Sequence, residues 1–282
     1  MTGPYQLTVS GYKECSMTIE IAQVKYLQAG TMKVEVHPSR EAAGAAAARA
    51  AAEAMKELAE TRESIGVIFA TGASQLAMLD ALTGIDGLPW GRIRGFHMDE
   101  YIGISADHPA SFRRYMRERL TDKVKMHEFS EVDGAAANPE ATAREYAEKL
   151  RSADPQLCVL GIGENGHLAF NDPPVADFND PVDVKIVRLD VACREQQAAE
   201  GWFESVEDVP EKAITLTIPA LFRVPKLIVS VPGSRKARVM RRTFEESIAT
   251  ACPATILRTH PDVTVYLDPD SAAELDGVMQ AE

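Results

Sequence analysis

The chain lacks the features that mark several large classes of protein. Its four cysteines, Cys15, Cys158, Cys193 and Cys252, are scattered over 282 residues with no Cys-x-x-Cys spacing. That excludes a disulfide framework or a zinc ribbon as the organising element, and it is the usage of a reducing compartment. Positive charge is in deficit, with 30 Lys and Arg against 42 Asp and Glu and a formal charge of −12. Such a balance argues against a nucleic-acid-binding surface, and an anionic ligand would need a locally basic pocket. No apolar run approaches the ~20 residues of a membrane span, and the first residues lack the charged-then-apolar order of a secretory signal. The expected protein is soluble and cytoplasmic, with no nucleic-acid or membrane partner. No internal repeat or flexible linker divides the chain, no serine or cysteine motif of a nucleophilic hydrolase is present, and the histidines match no metal-ligand spacing.

What the chain does have is alternation. Residues 1–31 carry no clean periodicity and read as a peripheral extension, or as the product of a start placed too early; regular patterning begins at Met32-Lys33-Val34-Glu35-Val36. Ser39 caps a long alanine-rich helix to about Thr61, with Glu41 in its first turn where the helix dipole favours a carboxylate. The strand Ile65 to Ala70 leads through Thr71-Gly72-Ala73-Ser74-Gln75 into a helical pattern, and the strand Ile93 to Met98 leads through Asp99-Glu100-Tyr101 to a helix after Pro109. Asn138-Pro139 opens a helix that feeds the apolar run Leu157-Cys158-Val159-Leu160. Beyond it the spacing predicts strands at Val182–Leu189, Ala213–Thr217, Leu227–Val231 and Val263–Leu267, a helix from Ser234 to about Ile248, and a closing helix from Asp270. The segment from Arg194 to Phe203 is read either as a mobile lid or as a solvated surface helix. Together these elements define one doubly wound, mostly parallel α/β domain over residues 32–282, with helices on both faces of the sheet.

Polar residues gather where predicted strands end, the active edge of an open α/β sheet. After Leu160 come Gly161-Ile162-Gly163-Glu164-Asn165-Gly166-His167, then Ala169-Phe170-Asn171-Asp172-Pro173. An amide, an imidazole and a carboxylate thus fall within eight residues, and a carboxylate beside His167 orients one ring nitrogen and leaves the other to shuttle a proton. Thr71-Gly72-Ala73-Ser74 leads into a helix and is either an anion cradle of backbone N–H groups or a plain tight turn. Gly233-Ser234-Arg235-Lys236 opens a helix with two cations, which the macrodipole disfavours unless an anion is near. Asp99 is placed either to act as a general base or to cap the following turn. His97 and His127 read as packing or surface histidines.

The three motifs Met98-Asp99-Glu100-Tyr101, Gly161 to His167 with Ala169 to Pro173, and Gly233-Ser234-Arg235-Lys236-Ala237, in this order, resemble the glucosamine-6-phosphate deaminase (glucosamine-6-phosphate isomerase) family, over roughly Met32 to Leu275. The resemblance implies a Rossmann-like fold and conversion of glucosamine 6-phosphate and water into fructose 6-phosphate and ammonia, without a redox cofactor or metal. It also implies that the partner is a small phosphorylated amino sugar, and it leaves a homo-oligomer open. Carried over by position, Asp99 is the base that takes the proton from C2 and returns it to C1. His167, with Asn165 and Asp172, opens the sugar ring. Thr71, Gly72, Ala73, Ser74, Gly163 and Lys236 bind substrate and its phosphate, and Arg194 is the candidate phosphate contact from the lid.

Three departures accompany the likeness. The family usually has glutamate at Asp172, so the partner of His167 must sit closer or act through water. The loop Thr71 to Gln75 departs from Thr-Gly-Ser/Gly-Thr-Pro, and the segment after Val191 lacks the family's Ala-Asn-Ser/Ala-Arg-Phe-Phe. The related 6-phosphogluconolactonases share the Gly-x-Gly-x-(Asp/Asn)-Gly-His layout, but they usually have arginine where this chain has Tyr101 and a Leu-Phe-Pro ending in place of Phe170 to Pro173. A regulator that binds sugar phosphates without turnover is the remaining alternative, and keeping Asp99 and His167 together argues against it.

Overall fold

Consecutive apolar residues, as in Val67-Ile68-Phe69, suit a strand only when both faces of its sheet are covered. The computed structural model, which describes residues 23–199 and 201–275, covers both. The chain begins with a hairpin of β1 (Lys25–Ala29) and β2 (Met32–Val36), then α1 (Arg40–Thr61), β3 (Ile65–Phe69), α2 (Leu76–Thr83) and β4 (Ile93–His97). It continues through β5 (Asp99–Tyr101), α3 (Phe112–Met116), β6 (Glu128–Ser130), α4 (Pro139–Ala153) and β7 (Pro155–Leu160). Then follow β8 (Val184–Arg188), α5 (Val191–Ala199), β9 (Lys212–Leu216), α6 (Ile218–Phe222), β10 (Lys226–Ser230), α7 (Ala237–Glu245) and β11 (Val263–Leu267). Eight strands form one sheet in the order β1-β2-β11-β10-β7-β3-β4-β6, parallel except at the β1–β2 hairpin. Helices α1, α2 and α3 cover one face, and α4 and α7 the other. This is the doubly wound, Rossmann-like α/β fold.

The alanine-rich look of α1 has a packing cause. Ala47, Ala48, Ala51 and Met55 are fully buried, and side chains this small let the helix lie close to the sheet and to α2. Ser39 caps it by accepting from the Ala42 N–H at 3.1 Å, as Asn138 caps α4 by accepting from the Ala141 N–H at 2.9 Å.

Several expectations change. The strand expected over Ile93 to Met98 ends at His97, where the chain leaves the large sheet, and Asp99-Glu100-Tyr101 beyond it form β5, which pairs antiparallel with β9, itself antiparallel with β8, in a separate three-stranded sheet. His97 fixes this hand-over. Its N–H and C=O both bond to the Tyr146 hydroxyl, and its Nε2 accepts the Val132 N–H at 2.8 Å. Lys25–Ala29 supplies the edge strand β1, so the end of the stretch read as a peripheral extension joins the sheet; residues 1–22, Cys15 among them, lie outside the described residues. Most of the segment from Arg194 to Phe203 belongs to helix α5 and the turns after it. The closing helix expected from Asp270 appears only as turns up to Leu275, and its remainder lies outside the described residues.

Strands β3 and β7 lie side by side, and the chain winds outward from them in opposite directions, through β4 and β6 on one side and through β10 and β11 on the other. Their carboxyl ends are therefore the topological switch point, where open α/β sheets bind ligands. Beside it, Glu100 is wholly buried and accepts from the Ser111 hydroxyl, from the N–H groups of Tyr101, Phe112 and Arg113, and from Arg113 Nε at 3.2 Å. Arg113, itself buried, also reaches Asp133 and the Ile104 carbonyl. Breaking a buried pair leaves an uncompensated charge. Arg113→Leu is therefore expected to lower unfolding free energy by about 3–5 kcal/mol, measured by urea denaturation; a loss under about 1 kcal/mol would place the neutralisation of Glu100 elsewhere.

Candidate active site

The switch point opens into a cleft of about 420 Å³, within the roughly 300–1,000 Å³ usual for small-molecule sites. Two loops of one design flank it. After β3 and after β10 the chain reaches a glycine in the left-handed region, Gly72 at φ 99° and Gly233 at φ 97°, then a 3₁₀ turn (Ala73–Gln75 and Ser234–Lys236), then a helix. Such a φ strains any other residue. The two helix starts, with Thr71 and Ser74 on one loop and Ser234 and Lys236 on the other, line the same cleft, which is the arrangement that holds an anion. Buried Gln75 ties the loops together, donating to Ser74 Oγ at 3.0 Å and to the Ser230 carbonyl at 3.2 Å.

Asp99 enters the cleft from the sheet-to-sheet hand-over and is 6% exposed. Burial, and then the charge of neighbouring Glu100, push its carboxyl well above the usual aspartate value of 3.8. It is a strong base for a carboxylate. His97, two residues earlier, supplies no compensating charge: burial, and then the Arg113 charge, lower it to about 3.

On the β7 loop, His167 Nδ1 lies 2.9 Å from Asp172 Oδ1, and the Asn165 amide donates to the same oxygen at 2.8 Å. Asn165 Oδ1 in turn accepts the His167 N–H at 3.0 Å. Burial works to raise Asp172, but the His167 hydrogen bond and charge, with the Asn165 amide, outweigh it and hold the carboxyl below its usual value. The short aspartate reaches histidine directly, so no bridging water is required. A tight turn brings it there: Ala169 sits at φ 52°, and the Asn171 amide donates to the carbonyls of Leu168 and Leu216, each at 2.8 Å. Gly163 passes beneath the ring so closely that a β-carbon there would lie 2.1 Å from His167 Nε2.

The donor atoms of His167, Asp172 and Cys193 lie within 4.8 Å of one another. Burial, and then the charge of Asp172, raise the Cys193 thiol, so the sulfur stands beside the carboxylate as a protonated thiol.

Of the residues singled out from sequence, Thr71, Gly72, Ala73, Ser74, Asp99, Gly163, His167 and Lys236 line the cleft, and Asn165 and Asp172 stand directly behind His167. Arg194 does not line it. Its guanidinium is turned onto the carbonyls of Val209 (3.1 Å) and Val206 (2.6 Å), where it ties α5 to the following loop. The cation missed from sequence is Arg40, the first residue of α1, which lines the cleft with its Nη2 close to Gly233. A cation at a helix N-terminus is the signal that pointed to Lys236, and it applied equally here. Gln196 and Gln197 of α5 also line the cleft, and nothing local in the sequence marks them.

A switch-point cleft with paired anion loops, a desolvated carboxylate and a carboxylate-oriented histidine is the site of a sugar-phosphate enzyme of α/β class. The chain belongs to the family of glucosamine-6-phosphate isomerases/6-phosphogluconolactonase, whose pattern matches residues 38–266. A glucosamine-6-phosphate deaminase of an Exiguobacterium species is 33% identical to it over 235 residues, covering 83% of this chain and 90% of the relative. One from a Geobacillus species is 35% identical over 208 residues, covering 72% and 81%. The solved structure of a monomeric glucosamine-6-phosphate deaminase superposes with a TM-score of 0.79 at 29% identity, over 86% of this chain and all but 1% of that one, which is covered to 99%. The 6-phosphogluconolactonase of Thermotoga maritima has a TM-score of 0.69 at 21% identity, covering 84% and 99%, and so shares the fold.

Since Gly163 leaves no room for a β-carbon, Gly163→Ala is expected to displace the His167 ring and lower kcat by about 10²-fold with little change in thermal midpoint. A crystal structure of the variant with the ring unmoved, or wild-type turnover, would contradict this.

Proposed function

We propose that this chain is a cytoplasmic glucosamine-6-phosphate deaminase, converting glucosamine 6-phosphate and water into fructose 6-phosphate and ammonia in amino-sugar breakdown. The observation that carries the reading is the joint presence, in one cleft, of desolvated Asp99, the His167–Asp172 pair and two anion loops. The phosphate sits between the loops, against Lys236 and Arg40 and the N–H groups of the Thr71 to Ser74 turn. His167, with Nδ1 engaged by Asp172, moves a proton between the anomeric hydroxyl and the ring oxygen through Nε2 and opens the pyranose. Asp99 then takes the C2 proton of the open chain to form an enolamine and delivers it to C1. Water adds to the resulting C2 imine, and ammonia leaves as the ketone forms. Each bond made or broken on this route is assisted by a proton transfer, and the C1–C2 oxidation change is internal to the sugar, so acid–base side chains supply the chemistry. The buried free thiols Cys158, Cys193 and Cys252 suit a reducing compartment.

Lactone hydrolysis is the weaker reading. Tyr101 and Phe170, two places where the chain departs from the lactonase pattern, pack ring against ring with centroids 5.2 Å apart, so the two differences form one unit, with Phe170 on the cleft and Tyr101 buried behind it.

Asp99→Asn is expected to lower kcat by about 10²–10⁴ while leaving inorganic phosphate a competitive ligand. Because the reaction needs ionised Asp99 and its pKa is raised, the acid limb of kcat/KM in the wild type is expected above pH 3.8, activity falling as pH drops through it; a limb at or below that value would remove Asp99 as the base. Lys236→Ala is expected to raise KM for glucosamine 6-phosphate by about tenfold or more, and an unchanged KM would move the phosphate elsewhere.

A further inference from the structure

An open-chain amino-sugar phosphate carries a phosphate at one end and the reacting C1–C2 unit at the other, with neutral hydroxyls between. The anion loops and the acid–base groups account for the two ends. Among the described residues lining the cleft, the neutral hydrogen-bonding side chains are Thr71, Ser74 and Ser234, which stand on the anion loops, and Gln196 and Gln197, which stand on α5. Of these neutral groups, the α5 pair stands off the anion loops.

Gln197 is the better held of the two. It is 9% exposed, and the hydroxyl of fully buried Tyr101 donates to its Oε1 at 2.9 Å. That bond sets the amide: with the oxygen accepting from Tyr101, the NH₂ is the end left to donate. Tyr101 follows Asp99 by two residues on β5, so both side chains leave the same face of that strand. Gln197 is thereby tied to the strand that carries Asp99, in the cleft that Gln197 and Asp99 both line. The Tyr101 ring is itself fixed by Phe112, Phe170 and Phe203, with centroids 5.1–5.4 Å away. A donor held in advance discriminates at little further cost in side-chain freedom.

Resting on the deaminase reading above, we propose that Gln197 is the specificity-determining residue for the sugar's C3 and C4 hydroxyls, and that Tyr101 is its positioning residue. Neither touches the atoms that react.

The test compares kcat/KM for glucosamine 6-phosphate with that for its 3-deoxy and 4-deoxy analogues and for galactosamine 6-phosphate, the C4 epimer. In the wild type, removal or inversion of the hydroxyl that Gln197 reads is expected to cost about tenfold, the scale of one neutral hydrogen bond. Gln197→Met, which keeps length and packing and loses the donor, is expected to bring that ratio to near one. Tyr101→Phe keeps the ring, loses only the hydroxyl, and is expected to reduce the same ratio part of the way, leaving the acid limb of the pH profile in place. Should Gln197→Met fail to fold, Tyr101→Phe decides alone. Hydroxyl ratios unchanged from wild type in the folded variants would overturn the proposal and leave Gln197 a packing residue. Absence of wild-type turnover on any amino-sugar phosphate is a different result, since it would overturn the deaminase reading itself.

Discussion

The structure depends on keeping one carboxylate out of water. Asp99 lies almost buried at the cleft floor with a second carboxylate next to it in sequence, and two adjacent buried charges of one sign would be prohibitive. The fold resolves this by treating the neighbours differently. Glu100 turns to the other side of β5, where Arg113 and the first N–H groups of α3 neutralise it. His97 stays neutral in the core and accepts a backbone N–H in place of offering a positive charge. Asp99 is left with desolvation as its dominant perturbation, which makes a carboxylate basic.

The same economy of charge separates the two aspartates of the site. Asp172 is also buried, yet its hydrogen bonds hold its pKa down while that of Asp99 is held up. In the proposed reaction the two aspartates of one site thus take opposite roles by environment: one orients an imidazole, and the other exchanges a proton with carbon. This division needs the small antiparallel sheet, because β5 carries Asp99 away from the large sheet and Thr215 of β9 supports the turn behind Asp172 by accepting the Phe170 N–H.

Much of this was legible in the sequence. Strand-length apolar runs followed by Gly-rich polar turns placed Asp99, His167 and both anion loops at the carboxyl edge, because local patterning and the topology of parallel sheets determine those positions together. The small sheet was not legible: β5 is three residues long and follows β4 after a single residue, and its partner β9 lies more than a hundred residues away. Arg194 misled for a related reason. A basic residue on a polar helix says nothing about which way it turns, and here two loop carbonyls claim it. Arg40 obeyed a rule that had already been applied to Lys236, whereas Gln197 is identified only by the tertiary contact with Tyr101. The direct Asp172 contact was likewise settled by the Ala169 turn, a left-handed alanine that no propensity forecasts.

The most direct test of the central claim, that one desolvated carboxylate moves hydrogen between two carbons of an amino-sugar phosphate, is turnover of glucosamine 6-phosphate in D₂O followed by proton NMR and an ammonia assay. The account predicts ammonia and fructose 6-phosphate in equal amounts, with the hydrogen at C1 arriving on one face only, as C2 hydrogen carried over by Asp99 together with the deuterium it exchanges for with solvent on the way. No ammonia from glucosamine 6-phosphate, together with rapid hydrolysis of 6-phosphogluconolactone by the same preparation, would contradict it.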